Sequence, residues 1–402
     1  MNQKIYYKRD KMGYSTKEQD TGDYEKREKM AIRSGKRALS RAPWLFNRTN
    51  PQSKGFFFEL KENDVVHPDY YAVHCVDGVG TKLFLSAWSN NYSLQPIDAI
   101  AMNANDLATA IHALPDAIDL YFAVQHSIEE NHMEEIMGGF VDALERIRVP
   151  GAPFDPNIGK IETASLDEMV SLGVPGKGWD VGVVMTGYIP KDKVPNLHPK
   201  SGNIIVGVSS SGAHSNGYTS ARHILFPPGV EYREEWKSQY KGRFQFDDQP
   251  AVLEGLTVLE ALQAPTAIYL VDAASIGKKF DDRDIYGVNI TGNGLANFNR
   301  AGQGVSFEIT EPLDLLPIHK LLIEESGWRP EEAYTKQNMG MGFAYIAPSL
   351  EMAEGVVELI HRGGENRAKI VGEVRKNKEP ELRTTIHRPY EGKPLDFIGY
   401  HN

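Results

Sequence analysis

Cysteine is nearly absent. Cys75 is the only one in 402 residues, so no intrachain disulfide and no cysteine-based zinc site can form, and nothing in thiol usage points to secretion. No stretch approaches the roughly 20 apolar residues that span a bilayer, and the opening Met1-Asn2-Gln3-Lys4 lacks the apolar core of a signal peptide. Basic residues are in the minority as well: 44 Lys and Arg face 54 Asp and Glu, a formal charge of −10. That balance argues against a nucleic-acid partner, because phosphate backbones reward a basic surface. The expected address is the cytoplasm, with neither membrane nor nucleic acid as partner.

What is present describes an ordinary globular chain. Apolar residues make up 41% and charged residues 24%, enough to bury a full core, and the length suits two domains at roughly 100–200 residues each. Residues 1–48 form an arm rich in Lys and Arg, but with Asp10, Glu18, Asp20, Asp23, Glu25 and Glu28 interleaved, which reads as a solvated, partly flexible segment in preference to a phosphate-binding lid. Three prolines between Pro190 and Gly202 mark an interdomain connector. The expected division is therefore a basic arm (1–48), a first domain (49–190) and a second domain (200–402), each mixing α and β.

Periodicity supplies the coarse elements. Tyr70 to Val76 reads as a strand entering a Gly-rich turn, and Ile97 to His112 has apolar residues at helical spacing. Leu120 to Val124 and Asp180 to Ile189 read as strands, Met133 to Arg146 as a helix, and Pro150 to Gly159 as a loop. In the second half, Asn203 to Val208 is a short buried-type strand, followed by a Ser-Gly-rich turn and a helix over Tyr218 to Leu225. A helix over Leu350 to Arg362, closed by Gly363-Gly364, precedes a strand over Ala368 to Val374.

Chemistry is written mainly in the turns. Asp77-Gly78-Val79-Gly80-Thr81-Lys82 lies directly behind an apolar strand. Its glycines let backbone approach an anion, Thr81 and Lys82 can donate to phosphate oxygens, and Asp77 can hold a divalent metal. The spacing is that of neither a P-loop nor a dinucleotide motif, and a plain strand-to-helix turn with a surface lysine fits the hexapeptide too. Asn105-Asp106 interrupts an apolar helical run; an inward carboxylate there needs a metal or arginine partner, although an exposed helix edge also accommodates it. Glu162-Thr163 adds a third carboxylate beside a hydroxyl.

The most concentrated signal is Ser209-Ser210-Ser211-Gly212-Ala213-His214-Ser215-Asn216-Gly217, between a strand and a helix. Small residues expose successive N–H groups and the helix turns its positive end toward the loop, so a phosphate or carboxylate is expected here. His214 could transfer a proton or donate to a developing oxyanion; a turn whose histidine caps the helix is the structural alternative. Asn289-Ile290-Thr291-Gly292-Asn293-Gly294 and Asn338-Met339-Gly340-Met341-Gly342 repeat the Gly-rich theme.

Taken with Ala101-Met102, Ala264-Pro265-Thr266 with Ile268-Tyr269, and Gly364-Glu365-Asn366, these motifs occur in an order and spacing that resemble the aminoimidazole ribonucleotide synthetase family, also called phosphoribosylformylglycinamidine cyclo-ligase. The resemblance implies a two-domain PurM-like α/β fold. Strands of the N-terminal domain would pair across a homodimer into a barrel, and the C-terminal α/β domain would close a cleft. It implies cyclisation of formylglycinamidine ribonucleotide, a small phosphoribosyl substrate, at the expense of ATP, with Mg2+ as cofactor. By the same resemblance Asp77, Asp106 and Glu162 would hold magnesium. Gly78, Val79, Gly80, Thr81, Lys82, Asn105 and Thr163 would surround the triphosphate. Ser211, Gly212, His214, Ser215, Asn216 and Gly217, with Thr291, Gly292 and Gly294, would contact the substrate, and His214, Lys82 and Asp106 would serve the chemistry. The sequence departs from the family where Lys160-Ile161 replaces the usual glycine pair before Glu-Thr-Ala, and the family's Tyr-to-Ala-Gly-Val-Asp opening is not recognisable at Tyr14-Ser15-Thr16-Lys17. Other ATP-dependent synthetases or kinases of the superfamily, and a non-catalytic nucleotide-binding paralogue, are the rival readings.

Overall fold

The computed structural model describes residues 3–6, 59–62, 68–125, 128–153, 155–167, 169–174, 176–301, 304–377 and 382–399. The strands are β1 (Gln3–Tyr6), β2 (Glu59–Glu62), β3 (Tyr70–Asp77), β4 (Leu114–Val124), β5 (Asn157–Ser165), β6 (Trp179–Pro190) and β7 (Ile204–Ser209). They continue with β8 (Tyr286–Asn289), β9 (Val305–Ile309), β10 (Met341–Ala347), β11 (Ala368–Lys376), β12 (Arg383–Ile386) and β13 (Leu395–Ile398). Five form one sheet in the order β2-β3-β6-β4-β5, and eight form another in the order β1-β13-β12-β9-β11-β7-β10-β8. The proline-bearing connector after Pro190 joins the two.

Strand alternation gives the first sheet two unlike faces. Along β6, Trp179, Val181, Val183 and Met185 are buried while Asp180, Gly182 and Val184 are exposed. The inner face packs on the Gln95–Ala108 and Glu130–Arg146 helices through Ile97, Ile100, Leu107, Ile136 and Phe140, all in one core. The outer face leaves large apolar side chains in solvent: Val76 is 74% exposed, Tyr121 49%, Tyr70 37% and Val184 36%.

The second sheet is covered on both sides, which is why β7 and β10 are continuous apolar runs. Val206, Val208, Phe343 and Tyr345 join the first core together with the Leu270–Phe280 and Leu350–Gly363 helices. Ile205, Ala344 and Ile346 join a second core with the Tyr218–Leu225 and Pro317–Ser326 helices. A single apolar body thus runs from the inner face of the N-terminal sheet to one face of the C-terminal sheet, and it holds the loops at their junction in place. Ser349 caps the Leu350–Gly363 helix through the Met352 N–H (3.2 Å), and Gly364 ends it at φ +84°.

Two readings change. Residues 157–159 are not the tail of a loop but the start of strand β5, which pairs parallel with β4 at the sheet edge. Its residues are almost all exposed, so the apolar alternation that betrays a strand is missing. Within the arm expected to be solvated, Gln3–Tyr6 pairs parallel with β13 and covers its open edge; the remainder of residues 1–48, Tyr14 to Lys17 included, lies outside the described residues.

Candidate active site

β3 ends at Asp77 on the inner face, and the Gln95–Ala108 helix carries Asp106 alongside it. The two carboxylates feel each other: Asp77 is among the causes that push Asp106 up from 3.8 to about 7, after burial and against a hydrogen bond from Asn289. Solvent reaches Asp77, yet the protein crowding its carboxyl raises its pKa as well, against a stabilising N–H from Gly78 at 2.8 Å. Asp106 accepts the Asn289 amide at 2.9 Å, which joins it to the end of β8 and the Thr291–Gly294 turn, and Arg300 at the end of that turn partly offsets its charge.

A pair of mutually repelling carboxylates suits a cation. Among the described residues no cluster of three or more His, Cys, Asp or Glu is placed to hold a metal. Two carboxylates nevertheless fit Mg2+, which often takes one or two from protein and completes its octahedron with phosphate oxygens and water. Gly78, Val79 and Gly80 lead from Asp77 into the short helix Gly80–Leu83; Gly80 sits at φ +74° with open space before it. Thr81 is exposed and shares a 3.1 Å hydrogen bond with Thr219 of the next domain.

Four further expected site residues have the following surroundings. Lys82 does not face the cleft: it is fully buried, bonded to Asp98 Oδ1 at 2.8 Å and to the Ala264 carbonyl at 2.7 Å. An ammonium on so apolar a turn keeps its charge only with a carboxylate beside it. Asn105 is spent on backbone, donating to the Ala267 carbonyl at 2.8 Å and accepting from the Tyr269 N–H at 2.9 Å. Glu162 stands three strands away from Asp77, on the outer face beside Tyr121 in register, and pairs with Lys160 at 3.0 Å. The structure therefore does not bring it, or its exposed neighbour Thr163, to the Asp77–Asp106 pair.

His214 is the fourth. Its backbone takes the left-handed conformation at φ +57°, and the imidazole turns inward, where Nε2 accepts the Ser211 N–H at 3.2 Å. Burial, with Lys82 and His319 nearby, depresses its pKa to about 3. It is a neutral ring that shapes its own loop, and a poor base at neutral pH. Gly342 is obligatory opposite it: a Cβ there would collide with both the His214 ring and the Tyr269 hydroxyl.

The loop itself is tied on every side. Ser210 Oγ donates to Asn338 at 2.9 Å, Asn338 donates to the Gly212 carbonyl at 2.8 Å, and Ser211 Oγ donates to the Pro265 carbonyl at 2.5 Å. Ser215 reaches Asp98 at 3.3 Å, and Asn216 reaches Thr291 at 3.4 Å. Gly217, at φ +71°, begins the Tyr218–Leu225 helix, and a Cβ there would strike the Gln337 amide. Exposed Gly292 lies beside Asn216, and buried Gly294 turns at φ +55°. Three of the six described non-glycine residues with positive φ, His214, Asn293 and Met339, lie in these converging loops; such strain concentrates where geometry serves function.

Asp98 is the participant that motif reading passed over, although it stands out as a charge inside the apolar run of its helix; Thr266 and Asn289 stood in the motifs above without an assigned role.

Sequence comparison supports the same two-part organisation. Residues 61–152 match the profile described as AIR synthase related protein, N-terminal domain, and residues 200–384 match its C-terminal domain counterpart. The chain is 32% identical over 331 residues to the phosphoribosylformylglycinamidine cyclo-ligase of Methanococcus vannielii, covering 81% of this chain and 85% of that one. The protein of the same name from Pyrococcus horikoshii is 32% identical over 326 residues, covering 79% and 84%. Among solved structures, the HypE-HypF complex superposes with a TM-score of 0.52 at 13% identity, over 91% of this chain and 100% of that one. Hydrogenase maturation protein HypE gives 0.51 at 12% identity, over 89% and 96%. At that identity the likeness concerns the fold alone.

Proposed function

The chain belongs to the phosphoribosylformylglycinamidine cyclo-ligase family, and from that premise we propose that it converts formylglycinamidine ribonucleotide and ATP to aminoimidazole ribonucleotide, ADP and phosphate. The formyl oxygen is a poor leaving group. Transfer of the ATP γ-phosphoryl group to it makes a good one; the amidine nitrogen then adds to the formyl carbon, the carbon–oxygen bond to phosphate breaks, and the nitrogen loses a proton as the ring closes.

The observation that carries this reading is the Asp77–Asp106 pair, in which the charge of Asp77 adds to the rise of the Asp106 pKa and Asn289 of the second domain reaches Asp106 at 2.9 Å. These two residues would hold Mg2+, which when bound neutralises phosphate charge. Gly78, Gly80 and Thr81 are the backbone and hydroxyl contacts nearest that pair for a triphosphate. Ser211, Gly212, Ser215, Asn216 and Gly217, with Thr291, Gly292 and Gly294, form the substrate side. His214 acts as a positioning residue, holding the Ser211 N–H in a fixed direction, and Lys82 and Asn105 keep the halves of the site in register. The exposed apolar outer face of the N-terminal sheet, Val76, Tyr121 and Val184, exceeds what scattered surface residues require and supports a homodimer closed across it. A cytoplasmic location accords with a chain in which no helix among the described residues is long and apolar enough to cross a membrane.

Purified protein, formylglycinamidine ribonucleotide, ATP and magnesium should release ADP only when all are present. ATP binding without turnover would favour a non-catalytic paralogue, and turnover with a different acceptor would favour another synthetase of the superfamily. Growth rescue of a purine auxotroph lacking this step tests the same reading in a cell.

A further inference from the structure

We propose that Asp98 is a positioning residue that locks the nucleotide half of the site to the substrate half through a single buried carboxylate oxygen. Asp98 lies in the first turn of the Gln95–Ala108 helix and has no solvent exposure. Its Oδ1 accepts from Lys82 Nζ at 2.8 Å, from the Thr266 N–H at 2.8 Å, from Thr266 Oγ1 at 2.6 Å and from Ser215 Oγ at 3.3 Å. Those donors come from three separate segments. Lys82 closes the turn that begins at Asp77, Ser215 belongs to the loop before the Tyr218–Leu225 helix, and Thr266 belongs to the 264–266 segment of the second domain.

The arrangement is more than a packed ion pair. Lys82 Nζ also donates to the Ala264 carbonyl at 2.7 Å and lies 5.3 Å from the centre of the Tyr218 ring, so its ammonium group bridges the domains by two further contacts. Ser215 Oγ also lies 3.2 Å from Thr266 Oγ1, so its one hydroxyl proton is shared between Asp98 and Thr266. Asp98 Oδ2 has no protein partner, so the whole registration runs through Oδ1. Because the donors on Oδ1 come from three segments at once, losing any one of them loosens the registration of the others. The same helix carries Asp106 two turns further on, on a rigid element, so a shift at Asp98 moves the substrate loop relative to the carboxylate pair.

This role rests on the reaction proposed above for its turnover readout, and the tests keep the two apart. Lys82→Met combined with Asp98→Asn removes both charges at nearly constant volume, so a purely structural pair would leave a folded and active protein. We expect a folded protein with kcat lowered about 100-fold and KM for each substrate within about threefold, as misplacement by about an ångström produces. Thr266→Val keeps shape, removes one donor, and is expected to lower kcat about tenfold with the melting temperature nearly unchanged. Hydrogen exchange supplies a readout independent of turnover: in the double variant the amides of Thr266 and of residues 211–217 should exchange faster while those of β4 and β6 do not. Should the double variant fail to fold, the Thr266 variant decides. Near-normal kcat in either folded variant, or unchanged exchange at 211–217 and 266, overturns the proposal. Absence of turnover in the unmodified protein would refute the reaction while leaving the exchange experiment decisive for the lock.

Discussion

Replacing Asp106 by Asn should make the nucleotide-free protein more stable while removing its ATP turnover. Burial is the largest cause of the rise of the Asp106 pKa from 3.8 to about 7. At about 1.4 kcal/mol for each tenfold change in proton affinity, that rise corresponds to about 4 kcal/mol by which the folded state disfavours the ionised form. The side chain keeps some contact with water, and an amide repairs the site imperfectly, so a gain of about 1–3 kcal/mol is the expected measure. Asn retains the oxygen that accepts the Asn289 amide at 2.9 Å, so no donor is orphaned. The sign follows from linkage. A carboxyl whose folded pKa lies above its unfolded value stabilises fully below the unfolded value and loses that contribution as pH rises through the folded one. The Asn variant should therefore match the parent near pH 4 and exceed it by pH 8, by roughly 2–8 °C in Tm. Thermal unfolding at both pH values, without nucleotide or magnesium, measures this. An equal shift at pH 4 and pH 8, or a less stable variant at pH 8, would refute the reasoning.

Other outcomes follow from the same geometry. The kcat/KM for magnesium–ATP should rise with pH through about 7, because only the ionised Asp106 holds the metal; a flat profile between pH 6 and 8 would remove Asp106 from that role. Lys82→Met alone leaves Asp98 charged and unpaired in a dry site, and should cost about 3–5 kcal/mol in denaturant unfolding. Gly342→Ala puts a methyl against Tyr269 and His214, and should cost about 1–3 kcal/mol while lowering turnover; wild-type unfolding would show that the loop yields freely. Val184→Lys on the outer sheet face should leave the protomer folded but shift it toward monomers in sedimentation, and an unchanged mass would place the dimer contact elsewhere.

The sequence made the residue types of the site legible, and much of its architecture, but not where the side chains point. Asp77 and Asp106 could be paired because one ends an apolar strand and the other interrupts an apolar helix, signals that survive in one dimension. Lys82 and Asn105 stood in the same motifs and looked equally available. Their partners, Ala264 and Ala267, lie 182 and 162 residues away, and no local pattern announces that distance. β5 escaped because an exposed edge strand lacks alternation, and with it went the placement of Glu162. The parallel pairing of β1 with β13 joins residues near opposite ends of the chain, a contact that only the assembled sheet specifies. His214 was legible as the special residue of its loop, whereas its burial, which makes it a neutral support, depends on Gly342 and Tyr269 packing over it.

Phosphorylation of the formyl oxygen is the step on which the functional account turns, and isotope transfer reads it directly. Formylglycinamidine ribonucleotide carrying oxygen-18 in its formyl group should, with ATP, magnesium and the purified protein, yield inorganic phosphate bearing one labelled oxygen for each ADP released. Unlabelled phosphate accompanying ring closure, or ADP release that does not depend on the ribonucleotide, would contradict it.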